Sequence, residues 1–165
     1  MKFEDNPYHY PAWTKKTQPI QQEVANITFL DVPSYRLTKM CEVIFPMRFL
    51  PQSSKRNHWT LQHKTVKDQR WAVKAHLMQF EDKISAPCHI VLTRIAPRFF
   101  DYDNLVTDFK AIRDEVAAYI MQDYVPGRAD GSKELTWEYT QEKNVRGDPQ
   151  RYKIKIGIFK REIIK

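Results

Sequence analysis

Apolar positions along the chain recur with two periods, in an order that reads strand, helix, strand, helix, strand, strand. Residues 41–49 (CEVIFPMRF) are an apolar run, and Pro46 within it predicts an edge strand or a bulge. Residues 50–58 (LPQSSKRNH) show no apolar period and predict a polar, basic loop. From Thr65 to about Phe80, Val66, Trp71, Val73, Leu77 and Met78 supply the apolar face of a helix. Residues 89–95 (HIVLTRI) are rich in β-branched side chains and predict a second strand, ended by Pro97. Leu105, Phe109, Ile112, Val116 and Ile120 follow at spacings of 4, 3, 4 and 4, one buried stripe of a helix expected over 103–122. A loop from Asp123 to Lys133 contains Pro126, Gly127 and Gly131. Two closing strands are predicted over 135–141 and 152–159, the second alternating as Tyr152-Lys153-Ile154-Lys155-Ile156.

That order, β-α-β-α-β-β, predicts an α+β domain: a small mixed β-sheet with two helices packed against it. Residues 1–38 carry Pro7, Pro11, Pro19 and Pro33 among scattered aromatics and predict an irregular N-terminal arm, which leaves 39–165 as the domain. No internal repeat or low-complexity tract interrupts it.

Charge changes the picture. The chain of 165 residues holds 27 Lys+Arg against 20 Asp+Glu, a net +7 with pI near 9.4, and this favours a nucleic-acid partner. Cys41 and Cys88 stand far apart, so neither a disulfide framework nor a zinc site is expected and a reducing, cytoplasmic setting fits. There is no apolar run of membrane-spanning length, nor an apolar leader at the N-terminus. Walker A, G-x-G-x-x-G, G-x-S-x-G and H-E-x-x-H patterns are all missing, and four glycines set aside a glycine-rich phosphate loop.

The chemistry concentrates in Phe100-Asp101-Tyr102-Asp103-Asn104-Leu105. Acids at i and i+2 of an extended segment project to one side, and paired carboxylates suit Mg²⁺. Asp103 also fits as N-cap of the following helix, a role that needs no metal. A cap needs one acid, however, and a second carboxylate beside it adds a repulsion that a cation relieves. Lys110 and Asp114, seven and eleven residues after Asp103, share a helix face with it. That face is either plainly solvated or brings Lys110 to a phosphate near the acids. Asp130 is the candidate third acid and Asp123 its competitor; each also fits an ordinary turn. On the basic side, Lys55, Arg56, His58, His63, Lys64, Lys67, Arg70 and Lys74 cluster with Asp68 as the one nearby acid and Trp59 interleaved. They form a phosphate-binding surface or a solvated helix face.

These features in order resemble the RusA family of Holliday junction resolvases, known mostly from phages and prophages. The resemblance covers about residues 42–160: a basic loop after the first strand, the D-x-D-N signature as Asp101-Tyr102-Asp103-Asn104, a helix with Lys110 and Asp114, and Asp130 before a strand. It implies a homodimer in the cytoplasm of a bacterial host that binds four-way DNA junctions and nicks two opposed strands with Mg²⁺, Mn²⁺ being the alternative ion. Carried over by position, Asp101, Asp103 and Asp130 would hold the metal and Lys110 would be the catalytic lysine. Lys55, Arg56, Lys64 and Asn104 would contact DNA. The chain departs from the family pattern where the lysine is expected, at Thr107, where an arginine run is reduced to Arg98, and where paired acids become Ala129-Asp130. Two rival readings are a DNA-binding protein without catalysis on the same fold, and a basic protein that docks another protein through its aromatic arm.

Overall fold

The fold is that of a computed structural model, which describes residues 34–49, 59–124 and 128–164, with backbone alone for 59–62. Strand β1 (Tyr35–Pro46) is followed by helix α1 (Trp59–Leu77), a 3-10 segment (Met78–Lys83) and strand β2 (Cys88–Ala96). Helices α2 (Tyr102–Asp108) and α3 (Lys110–Ile120) then lead through a short 3-10 turn (Ala129–Gly131) to strands β3 (Leu135–Lys143) and β4 (Lys153–Ile163). This is a mixed α+β architecture. The arm expected over 1–38 lies outside the described residues as far as 33, while Tyr35–Thr38 belong to β1 and pair with β4.

The four strands form one sheet in the order β1-β4-β2-β3. β4 pairs antiparallel with β1 and β2, and β2 pairs parallel with β3. Parallel neighbours cannot be joined by a tight turn, so α2 and α3 serve as the crossover from β2 to β3. Period-2 alternation sorts the side chains. Cys41, Val43 and Phe45 of β1, Ile90 and Leu92 of β2, and Ile154, Ile156 and Ile158 of β4 are buried in one cluster with Val73 and Leu77 of α1 and with Leu105, Phe109, Ile112 and Val116 of the crossover helices. Pro46, expected at an edge, ends an edge strand, where its missing N–H costs no ladder bond.

Three local expectations are corrected. The helix expected over 103–122 is interrupted at Phe109 and begins one residue earlier, at Tyr102. Asp101, not Asp103, therefore occupies the N-cap position, and its carbonyl accepts the Leu105 N–H at 3.0 Å. On α1, Val73 and Leu77 are buried as expected, but Trp71 is 73% exposed and Val66 and Met78 also face outward. The inward stripe runs through Gln69, Val73 and Leu77, spaced by about one turn, and Trp71 lies on another face.

Candidate functional site

The turn that joins β2 to α2 is built by side chains that sequence reading passed over. Arg94 shares the inward register of Ile90 and Leu92, so a guanidinium enters the layer between sheet and helices. It is buried, lies 3.5 Å over the Phe100 ring, and its Nη1 donates to the Arg98 carbonyl at 2.6 Å. Gln141 of β3 grips Phe100 from the other side. The Phe100 N–H donates to Gln141 Oε1 and Gln141 Nε2 donates to the Phe100 carbonyl, both at 2.8 Å. With ring and backbone both held, the residue before Asp101 has little freedom left. Tyr102 closes the turn with its ring edge-on to Tyr139 at 6.5 Å.

Asp101 and Asp103 project from this turn into solvent. Asp103 lies in the first turn of α2, so the two acids do not sit on one extended segment, and the i, i+2 argument for their shared direction does not apply. They remain adjacent across the start of a helix, where the orphan backbone N–H groups favour negative charge. Asp101 makes no side-chain cap bond. Neither carboxylate has an ion-pair partner among the described residues. Asn104 is exposed beside them.

Lys110 and Asp130 are engaged elsewhere. The Lys110 amine lies 3.6 Å from Asp114, which also faces Arg70 of α1 at 3.5 Å. Asp114 thus ties α1 to α3, and Arg70 is taken from the expected DNA-binding face. Asp130 lies 3.2 Å from the Arg113 guanidinium, and its carbonyl accepts from Arg113 Nη2 and from the Trp137 indole, each at 3.1 Å. Arg113 also donates to the Tyr139 hydroxyl at 3.3 Å and lies over the Trp137 ring. Asp130 therefore anchors the turn before β3. Among the described residues no three acids, histidines or cysteines converge on a point that would hold a metal. Asp101 and Asp103 are the two exposed carboxylates at the start of α2, the hard oxygen donors that Mg²⁺ takes alongside water and phosphate oxygens. A third ligand from Asp130 does not fit while Arg113 holds it. Asp123, the competitor, is exposed in the turn after α3.

A buried acid was also missed. Asp108 is enclosed at the end of α2, and burial pushes its carboxyl up to about 6 despite the opposing pull of Arg94. The signal was present in sequence: Leu105, Asp108 and Ile112 share one helix face, so an acid stands inside the apolar stripe. Arg94, a lone charge within HIVLTRI, is the matching signal on β2.

Lys55, Arg56 and His58 lie outside the described residues. On the part of the basic surface that is described, Lys64, Lys67, Trp71 and Lys74 are all exposed. Their spacings of 3, 4 and 3 put them on one face of α1, an exposed indole among three ammonium groups. Burial pushes the Cys41 thiol up to about 11 and the Cys88 thiol up to about 12, which favours the neutral thiol over the nucleophilic thiolate at neutral pH. Among the described residues no helix is long and apolar enough to cross a membrane. No protein-family model matches the chain, and comparison with curated proteins and with solved structures finds no match.

Proposed function

We propose that the protein is a Mg²⁺-dependent endonuclease that acts on branched DNA, with four-way junctions as its preferred substrate, in the manner of the RusA family it resembles. One observation carries this reading: in a chain of net charge +7, two exposed carboxylates, Asp101 and Asp103, stand at one rigid turn with no basic partner among the described residues. Uncompensated neighbouring acids repel each other and are best satisfied by a cation. Within a basic surface, the polyanion and the cation are then brought to the same place.

A bound Mg²⁺ would supply Lewis acidity toward a phosphodiester and an activated water. The chain contributes position. Gln141 and Arg94 fix Phe100, and through it the backbone of Asp101, so the acids meet substrate without reorganising. Lys64, Lys67 and Lys74 attract the backbone phosphates, and Trp71 offers a ring on which an unpaired base at a branch can stack. Two-fold junction symmetry suits a homodimer, and the cleavage of two opposed strands would follow from one site in each subunit.

The test is incubation of the protein with a labelled four-way junction and Mg²⁺, alongside linear duplex of the same sequence. Paired nicks in the junction and none in the duplex are expected. A second reading, DNA binding without cleavage, is favoured by the capture of Asp130 by Arg113. Binding to the junction with no nick in Mg²⁺ or Mn²⁺ would establish it instead.

A further inference from the structure

Arg48, Arg94, Arg98 and Arg151 line a cavity of about 300 Å³, together with the apolar side chains of Phe49, Pro97, Phe100 and Tyr152. They come from the end of β1, the end of β2, the turn after it and the approach to β4, so the fold and not local sequence assembles them. Among the described residues no acid lines the cavity. None of the four arginines lies within ion-pair distance of a carboxylate among the described residues. Two are braced against rings, Arg94 over Phe100 at 3.5 Å and Arg48 over Tyr152 at 5.0 Å, which limits the rotamer freedom they would lose on binding. Arg94 is buried, and the oxygens its Nη1 approaches, the Arg98 carbonyl and Gln141 Oε1, are neutral.

The buried Asp108 carboxyl offsets part of the desolvation cost of Arg94 from a distance, but among the described residues no carboxylate touches the guanidinium, and an anion in contact would offset the rest. One guanidinium fork saturates a carboxylate. Four offer more donors than its two oxygens accept, and more charge than one internal phosphodiester carries. A phosphate monoester has three free oxygens and close to two negative charges at neutral pH. We infer that the cavity bounded by Arg48, Arg94, Arg98 and Arg151 is a binding pocket for a phosphate monoester, borne on a free nucleotide or on the 5′ end of a nucleic-acid strand. Phe100 lines the pocket and Asp101 follows it directly, so a strand end held there would lie beside the carboxylate pair. The assignment rests on the arginines alone and stands whether or not those acids cleave DNA.

The test compares full-length protein binding to one 3′-labelled oligonucleotide in 5′-phosphorylated and 5′-hydroxyl forms, together with calorimetric titration of adenosine 5′-monophosphate. The exposed pair is replaced as Arg48→Gln/Arg151→Gln, which spares the buried Arg94, and thermal melting checks that this variant folds. At least tenfold tighter binding of the phosphorylated strand, lost in the variant, supports the pocket with a strand end as source. Saturable nucleotide binding lost in the variant, with no preference between the strands, supports it with a free ester as source. Equal binding of both strands together with no nucleotide binding overturns the proposal, as does any preference that the folded variant retains. Junction cleavage is unaffected by these outcomes, so failure here and failure of the nuclease reading are separable.

Discussion

The Arg113 guanidinium lies 3.2 Å from the Asp130 carboxylate and also donates to the Asp130 carbonyl and the Tyr139 hydroxyl. One side chain of α3 thereby fastens the turn before β3 to the face of the sheet. Residues that looked alike in sequence, Asp101, Asp103 and Asp130, divide into two exposed acids without ion-pair partners among the described residues and one structural acid.

Stability should separate them. Asp130→Ala removes the charged partner of a half-buried guanidinium and should cost about 1–2 kcal/mol. Asp103→Asn removes a group with no ion-pair partner among the described residues and should cost no more than about 0.5 kcal/mol, the loss of a helix-terminus interaction. Urea denaturation of both variants checks this, and an Asp103→Asn variant as destabilised as Asp130→Ala would contradict it.

Asp108 predicts a pH dependence. Its folded carboxyl titrates near 6, above the unfolded value of about 3.9. Between those values the folded state holds the proton more tightly, so this group's contribution falls as pH rises through the window and is flat above it. Asp108→Asn should therefore be more stable than wild type at pH 7.5, by about 1–3 kcal/mol, with the difference vanishing near pH 4. Denaturant titrations at pH 4, 6 and 7.5 read it directly.

Trp71 is 73% exposed between Lys67 and Lys74 on α1. Trp71→Ala should leave the melting temperature unchanged and weaken single-strand or branched DNA binding by about 1–2 kcal/mol, the value of one base–aromatic stack. Fluorescence anisotropy with duplex as comparison checks it, since a duplex presents no unpaired base to the ring.

Phe109 tests the core where the crossover helix is interrupted. Its ring is fully buried and packs edge-on against Phe49 at 5.0 Å and beside Tyr139 at 5.9 Å. Phe109→Ala should cost about 3–5 kcal/mol. A melting curve near that of wild type would show that these contacts are not formed.

Legibility in sequence followed the physics of each element. The strands of β2 and β4 and the stripe Leu105–Phe109–Ile112–Val116 could be read because burial alone imposes their periods. Trp71 could not, because an indole contributes apolar surface wherever it sits on a helix, and only the neighbours of α1 decide which face is covered. The N-cap shifted from Asp103 to Asp101 because either acid satisfies the same local preference, and the difference lies in how Gln141 fixes Phe100 from a strand 41 residues away. The pairing of Arg113 with Asp130 and the gathering of four arginines at one cavity are likewise products of topology. No local pattern encodes them. The pairing also draws the clearest limit on the resemblance, since Asp130 stands where a metal ligand was expected and serves as an anchor.

The central claim is that Asp101 and Asp103 form the working centre of a metal-dependent nuclease. The most direct measurement is the rate of four-way junction cleavage in Mg²⁺ by wild type and Asp103→Asn, with junction affinity measured in Ca²⁺ for both. The account predicts a fall in rate of at least about 100-fold, the upper end of what losing even an outer-shell partner of a metal costs, at unchanged affinity. Cleavage by the variant at the wild-type rate would contradict it.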